Sequence, residues 1–459
     1  MIVPLVLLAL VQQPAPPQVG DTAEGRPCVV VIDSVGGRTQ QVEVRKGETN
    51  VFAGGGVLAH CRGTASTLSA DSVAWFAGTG RFDMIGQRHL VHIRDSALTL
   101  DATTAAYFLR QERLEAHKNV VAVNRSTGSV LRGPNLTYYR IVKGIRDTME
   151  MYASARPTID YRSSAPPDSA EPYVIVADRV RFKGNDRMWG GGKVTIDRSD
   201  VAARGDSMQL DQAAGLGVLV GKPHVEGKGA HPYTLVGTRI ELGLQAREIR
   251  FVKALGQGVA TGTDWRLTAD TIHLTLERRK LQHAFAWSRG DSTSHARAVS
   301  TLNTIDADSL ALDTPDEVLT EARAFRHAFS TSKKDSSKTA DVDWIAGDTL
   351  TAHWTQVADS GAAPKSQLHQ IVARGAARSL SHIAGAKDSA GTGPAIDYSR
   401  GKVIDIALKA DKVDRIVVSG RADGVHLEPA PPKHAAADST AKKPKPAPAD
   451  STAKKPPKP

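Results

Sequence analysis

The chain has 459 residues, 41% of them hydrophobic and 24% charged, which excludes a disordered or collagen-like protein and leaves room for more than one domain of ordinary size. Its formal net charge is +10, but seven lysines against Asp438 and Asp450 place +5 of that after Glu428. The remainder is mildly basic, with no Arg/Lys stripe interleaved with aromatics and no helix-turn-helix, RRM or zinc-finger signature, so no nucleic-acid partner is expected.

In chain order, residues 1–11 form an apolar stretch, Met-Ile-Val-Pro-Leu-Val-Leu-Leu-Ala-Leu-Val, followed by a polar, Pro-rich segment. Residues 1–20 read as a signal peptide or N-terminal apolar segment, although no Lys or Arg precedes the run and no clean small-x-small site follows it. Export to the periplasm or cell envelope is the expected consequence. After it no apolar run is long enough for a transmembrane helix. Cys28 opens the apolar run Cys28-Val-Val-Val-Ile32 and Cys61 follows Val57-Leu-Ala-His60, so both fall on expected strands. In an oxidising compartment they can pair; otherwise they are two buried thiols.

From there a box of the form Asp-x-apolar-x-apolar recurs: Asp71-Ser-Val-Ala-Trp75, Asp178-Arg-Val-Arg-Phe182, Asp206-Ser-Met-Gln-Leu210, Asp270-Thr-Ile-His-Leu274, Asp308-Ser-Leu-Ala-Leu312 and Asp348-Thr-Leu-Thr-Ala352. Apolar and polar residues alternate in each, the period of a strand with one wet face. A second alternating segment usually follows a polar or Gly-containing turn, as at residues 81–85, 190–197, 218–225, 280–286 and 318–324, so the unit is strand, turn, strand. The opening Asp suits a turn in which its carboxylate accepts backbone N–H groups two residues on. Residues 104–118 and 316–329 carry helix formers and, alone, would be helices; their place in the repeat register makes them strand-turn-strand instead. Gly54-Gly-Gly56 and Gly190-Gly-Gly192 mark bulges or close approaches of backbones.

Residues 161–172, Tyr161-Arg-Ser-Ser-Ala-Pro-Pro-Asp-Ser-Ala-Glu-Pro172, have linker composition and separate an expected first module, 26–160, from a second, 173–427. Residues 428–459 are rich in Pro, Ala and Lys and repeat Ala437-Asp-Ser-Thr-Ala-Lys-Lys443 as Ala449-Asp-Ser-Thr-Ala-Lys-Lys455, the composition of a disordered tail.

Four segments carry a family resemblance: Arg113-Leu-Glu-Ala-His-Lys-Asn-Val-Val-Ala122, Leu131-Arg-Gly-Pro-Asn-Leu-Thr-Tyr-Tyr139, Met188-Trp-Gly-Gly-Gly-Lys-Val-Thr-Ile-Asp197 and Ala203-Arg-Gly-Asp-Ser-Met-Gln-Leu-Asp211. They resemble the OstA-like (organic solvent tolerance-like N-terminal domain) family, found in lipopolysaccharide-transport proteins of the LptA, LptC and LptD type. The resemblance is clearest over residues 54–223 and fades towards 427. It implies an all-β fold of one or two open V-shaped β-jellyroll modules, with acyl chains of lipopolysaccharide or another glycolipid in an apolar interior. It also implies edge-strand pairing with other jellyroll proteins or with a second copy. The chain is longer than the family's small members and lacks the large membrane barrel of an LptD.

Pulling an acyl chain of about a dozen carbons into water costs on the order of 10 kcal/mol, and an apolar groove along stacked hairpins meets that cost. Alternation is cleanest at Ile240, Leu242, Leu244, Ile249, Phe251, Ile272, Leu274 and Leu276, the expected lipid-facing residues. The competing reading is a closed β-solenoid scaffold with a dry core. Neither a cofactor nor a metal site is expected: Gly215-Leu-Gly-Val-Leu-Val-Gly221 has the wrong spacing for a dinucleotide loop, and the 15 histidines include no His-Glu-x-x-His. No Gly-x-Ser-x-Gly elbow or paired-carboxylate site stands out, so no enzymatic activity is expected.

Overall fold

The structure is a computed structural model that describes residues 28–162, 171–245, 248–263, 265–289, 295–333, 342–357, 365–383, 394–409 and 412–428. The expected signal segment 1–20, most of the expected linker and nearly all of the tail lie outside the described residues. Among the described residues, 32 strands form one sheet, and the helical content is two single 3-10 turns, Leu109–Gln111 and Pro315–Glu317. Both turns fall in or beside the two segments with helical propensity. The chain there runs as strand Thr104–Phe108, turn and strand Arg113–Asn124, and later as strand Glu321–Lys333. Cross-strand pairing overrides local preference. No helix among the described residues is long and apolar enough to cross a membrane.

Two antiparallel ladders run side by side through the sheet and share their long strands. The strand Arg113–Asn124 shows how: residues 113–117 pair with Thr104–Phe108, while residues 121–124 pair with Leu98–Ala102. The same division recurs at Arg187–Asp197, Glu248–Thr261 and Glu321–Lys333. Pairing is antiparallel on both sides of residues 161–172, where Thr158–Tyr161 lies against Tyr173–Val176, so the sheet passes this segment without a break. A parallel β-helix would need parallel pairing instead.

The bend that divides each long strand has a repeated cause. Consecutive residues with positive φ stand at Gly55/Gly56, Lys118/Asn119, Gly192/Lys193, Gly256/Gln257, Arg326/His327 and Gly375/Ala376. At each pair the register shifts, so that two residues face one on the neighbouring strand. Such a bulge turns the strand and re-aims the residues beyond it. Aligned down the molecule, the bends make a spine that joins the two ladders. Both glycine triplets sit on it, inside the strands Glu48–Cys61 and Arg187–Asp197.

The box aspartates sit on this spine too. Residues 55 and 56 face Asp71, residues 192 and 193 face Asp206, and residues 256 and 257 face Asp270. At two of the boxes the carboxylate reaches beyond the expected local turn. Asp71 Oδ2 accepts from the backbone N–H groups of Gln87, Arg88 and His89 at 2.6, 2.5 and 3.0 Å, and Asp270 Oδ2 accepts from Arg289 N at 3.1 Å. The donors lie 16 to 19 residues away, on the next connection, so at these two boxes the aspartate fixes one hairpin to its successor. These N–H groups, first among them that of His89, hold the Asp71 carboxyl well below the usual carboxylate range.

The core follows from the register. A single inward row in the first ladder runs Ala53–Val73–Met84–Ala105–Ala116–Leu136–Ala153–Val180–Gly190–Met208 and continues Leu219–Ile240–Ala254–Ile272–Ala286–Leu310–Ala324–Leu350–Ala373–Ile404. Every member is buried. Nineteen strand spacings of about 4.8 Å give it a contour of about 90 Å. From Ile240 onward a branched residue alternates with Ala, so each large side chain has a small neighbour on either side and can reach towards the second ladder. Buried residues of both ladders form one continuous cluster from Cys28 to Ile406.

Candidate functional site

The interior between the ladders is where the sequence places its candidate residues. Ile240, Ile272 and Leu274 are fully buried, and Leu242, Ile249 and Leu276 are buried at 7, 8 and 9% exposure. Leu244 is partly buried against the same cluster. They occupy adjacent inward rows, Ile240–Ala254–Ile272 and Leu242–Val252–Leu274.

Phe251 does not join them. Gly243 pairs with Phe251 and Leu244 with Ile249, leaving Arg250 as an extra residue. The bulge reverses the alternation, so Val252, 1% exposed, takes the inward place. Phe251 turns to the outer face, where its ring covers Gly243 and meets the His273 ring edge-on at 5.1 Å between centroids. Partial burial, first, and the neighbouring Lys253 ammonium lower the pKa of that histidine.

Two small apolar voids open between the ladders. One, of about 40 Å³, is lined by Cys28, Cys61, Leu68, Met84, Leu98 and Leu114 beneath Tyr107, Tyr138 and Arg140. The other, of about 50 Å³, is lined by residues including Tyr161, Tyr173, Met208, Leu219, Leu242, Leu244 and Ile249. Three of the eight expected lipid-facing residues, Leu242, Leu244 and Ile249, border the second void.

Opposite the spine, hairpin turns of the two ladders meet along a margin whose bridges are made by side chains. At the N-terminal rungs, Arg140 Nε donates to Asp95 Oδ2 at 3.0 Å and Arg140 Nη1 to Glu112 Oε2 at 3.2 Å, with exposures of 10, 8 and 6% for the three side chains. Cys28 N donates to Glu112 Oε1 at 2.7 Å, Ser66 Oγ to Asp95 Oδ1 at 2.9 Å, and Tyr107 Oη to Glu112. Burial alone would raise the Asp95 carboxyl. The Arg140 guanidinium, the Ser96 N–H and the Ser66 hydroxyl outweigh it and hold the group below its ordinary value. Burial, first, and Glu112 push the Tyr107 phenol up.

Further along, Asn124 Nδ2 donates to Asn185 Oδ1 at 2.8 Å and Tyr161 Oη to Gln212 Oε1 at 3.0 Å. Burial, ahead of the Tyr173 phenol, pushes Tyr161 up to about 12. Arg279 then lies 3.7 Å from Asp200 and 3.8 Å from Glu248, and the Arg198 guanidinium stacks 4.2 Å from the Tyr173 ring centroid. These bridges form a clasp over the apolar interior. Sequence reading missed it; the one available signal was charge and hydroxyl groups at hairpin ends, where a solvated face is the ordinary explanation.

Cys28 and Cys61 form a disulfide with Cα atoms 5.0 Å apart, which ties the first described residue to the end of the strand Glu48–Cys61. Among the described residues no group of three His, Cys, Asp or Glu side chains could hold a metal ion. Compared with known proteins, the chain matches no family model and no curated protein.

Proposed function

We propose that the chain is a lipid-carrying bridge of the cell envelope, built of one or two V-shaped jellyroll modules of the OstA-like kind. Acyl chains of lipopolysaccharide or a similar glycolipid would lie between the ladders. The observation that carries this reading is the uninterrupted apolar row from Ala53 to Ile404, flanked by ladders that share main-chain pairing at the spine but meet through side chains at the margin. Such a seam can part along one side without breaking a strand pair. The disulfide suits an exported protein, since such bonds persist in oxidising compartments. The apolar run within residues 1–20 suits export independently, as the core of a signal segment.

Loading would require the ladders to move apart at the two voids between them. An apolar cavity that admits benzene is about 150 Å³, against voids of about 40 and 50 Å³ here. That packing favours a second reading, a structural scaffold of the envelope with a permanently dry core. Photoreactive residues at positions 242 and 274, in protein extracted without detergent, discriminate the two. A lipid carrier yields crosslinked acyl chains and co-purifying glycolipid by mass spectrometry. A chain that emerges lipid-free, does not compete for labelled lipopolysaccharide and gives no lipid adduct at either position is the scaffold.

A further inference from the structure

A concavity of about 720 Å³ lies outside the seam, on the solvent face of the first ladder. Two rows in register build it. One places Tyr152, Arg181, Trp189 and Gln209 side by side on four neighbouring strands. The row beside it places Ser154, Arg179, Gly191 and Ser207 on the same strands. Large planar side chains thus stand next to small ones, and the small ones leave a floor. The trough extends to Asn135 on one side and Arg239 on the other. Seven strands at about 4.8 Å give it a length of about 29 Å.

Its chemistry is consistent along that length. The Arg181 guanidinium sits between two rings, 5.3 Å from the Tyr152 centroid and 5.4 Å from that of Trp189. Arg181 and Arg239 have carboxylate partners, Glu150 at 3.2 Å and Glu241 at 3.0 Å. Arg179 is exposed and has none among the described residues; its side chain lies across Gly191, with Nε 3.2 Å from where a Cβ on that glycine would stand. An exposed guanidinium with free donors prefers a carboxylate or phosphate, which it can grip with two parallel hydrogen bonds. The exposed Tyr152 ring, edge-on to Tyr139, and the partly exposed Trp189 ring, with hydroxyl and amide groups around them, suit a ring that is apolar on its faces and polar at its rim.

We propose that this outer trough binds an anionic oligosaccharide, with Trp189 and Tyr152 stacking on sugar rings and Arg179 pairing with a carboxylate or phosphate. The site is separate from the interior, since its side chains point away from the buried row Val180–Gly190–Met208. An elongated, open trough favours several linked sugars over one enclosed monosaccharide.

The test is calorimetric titration of the full chain with a galacturonate hexamer, a phosphorylated maltohexaose and neutral maltohexaose. The proposal expects salt-sensitive binding of an anionic hexamer, with the neutral one at least about tenfold weaker. Preference between the first two identifies carboxylate or phosphate as the anion. Arg179→Gln should weaken binding about tenfold, and Trp189→Ala should abolish it. Ser154→Glu guards against misfolding, because this exposed residue touches no core; it narrows the floor and adds a like charge, and should also abolish binding. Equal affinity for neutral and anionic hexamers, no binding at all, or wild-type affinity in both Arg179→Gln and Ser154→Glu would overturn the assignment.

Discussion

Arg140 shows what one side chain does at the margin. It is enclosed with Asp95 and Glu112, and its guanidinium offsets the desolvation of both carboxylates. Removing a partner from a buried ion pair leaves a charge uncompensated, at a cost of about 3–5 kcal/mol, whereas an apolar replacement of the whole group can be nearly neutral. Arg140→Met should therefore lower unfolding stability by about that amount, read from urea denaturation. Arg140→Met combined with Asp95→Asn and Glu112→Gln should recover much of it. The pH dependence has a definite sign. Asp95 has a lowered pKa in the folded chain, so its contribution is complete above the unfolded value of about 3.9 and is lost as pH falls through the lowered value. Acid titration of wild type and Asp95→Asn should diverge above about pH 4 and converge below it. None of these partners was legible in the sequence, because Asp95, Glu112 and Arg140 belong to different hairpins and meet only when two ladders close. Phe251 was misplaced for a related reason: one extra residue, Arg250, inverts an alternation that looked regular.

At the scale of a strand pair, the legible feature was the Asp box and its alternation, since a period of two is written directly into the residues. The bend was only half legible. Glycines at 55, 192, 256 and 375 hint at it, but Lys118/Asn119 and Arg326/His327 adopt the same left-handed conformation without glycine. Tertiary pairing imposes it there. The two kinds of constraint can be separated. Gly47 has φ of +83° with nothing near a would-be Cβ, so Gly47→Ala should cost only backbone strain. Gly192 has φ of +80° and its Cβ would collide with the Asp178 carboxylate. Gly192→Ala should therefore lose about 1–3 kcal/mol and exceed the loss at Gly47, measured by paired thermal and chemical denaturation. Equal losses would show that the aspartate gives way freely and that the box does not hold the spine.

Over the whole molecule, each hairpin contacts its neighbours in the stack and little else, so stability is a sum of local terms and need not be uniform. The disulfide and the Arg140 cluster both act at the N-terminal rungs, while the bridges at Asn124, Tyr161 and Arg279 lie over the middle ones. At the other end the strand Asp423–Leu427 is exposed throughout, with Val425 and Leu427 at 54 and 55%. Hydrogen exchange should accordingly be fastest in Lys412–Ser419 and Asp423–Leu427, slower in Ala395–Lys409, and slowest between Arg187 and Glu277. Reduction of Cys28–Cys61 removes a constraint worth about 3–4 kcal/mol in the loop-entropy account. In a stack of local terms, that loss should raise exchange across residues 28–61 and their neighbours while leaving Trp265–Glu277 at its original rate. If reduction instead accelerates exchange everywhere by the same factor, the ladders open as one cooperative body. On the proposed function, acyl cargo would then have to enter by a global event, not by parting the margin a few rungs at a time.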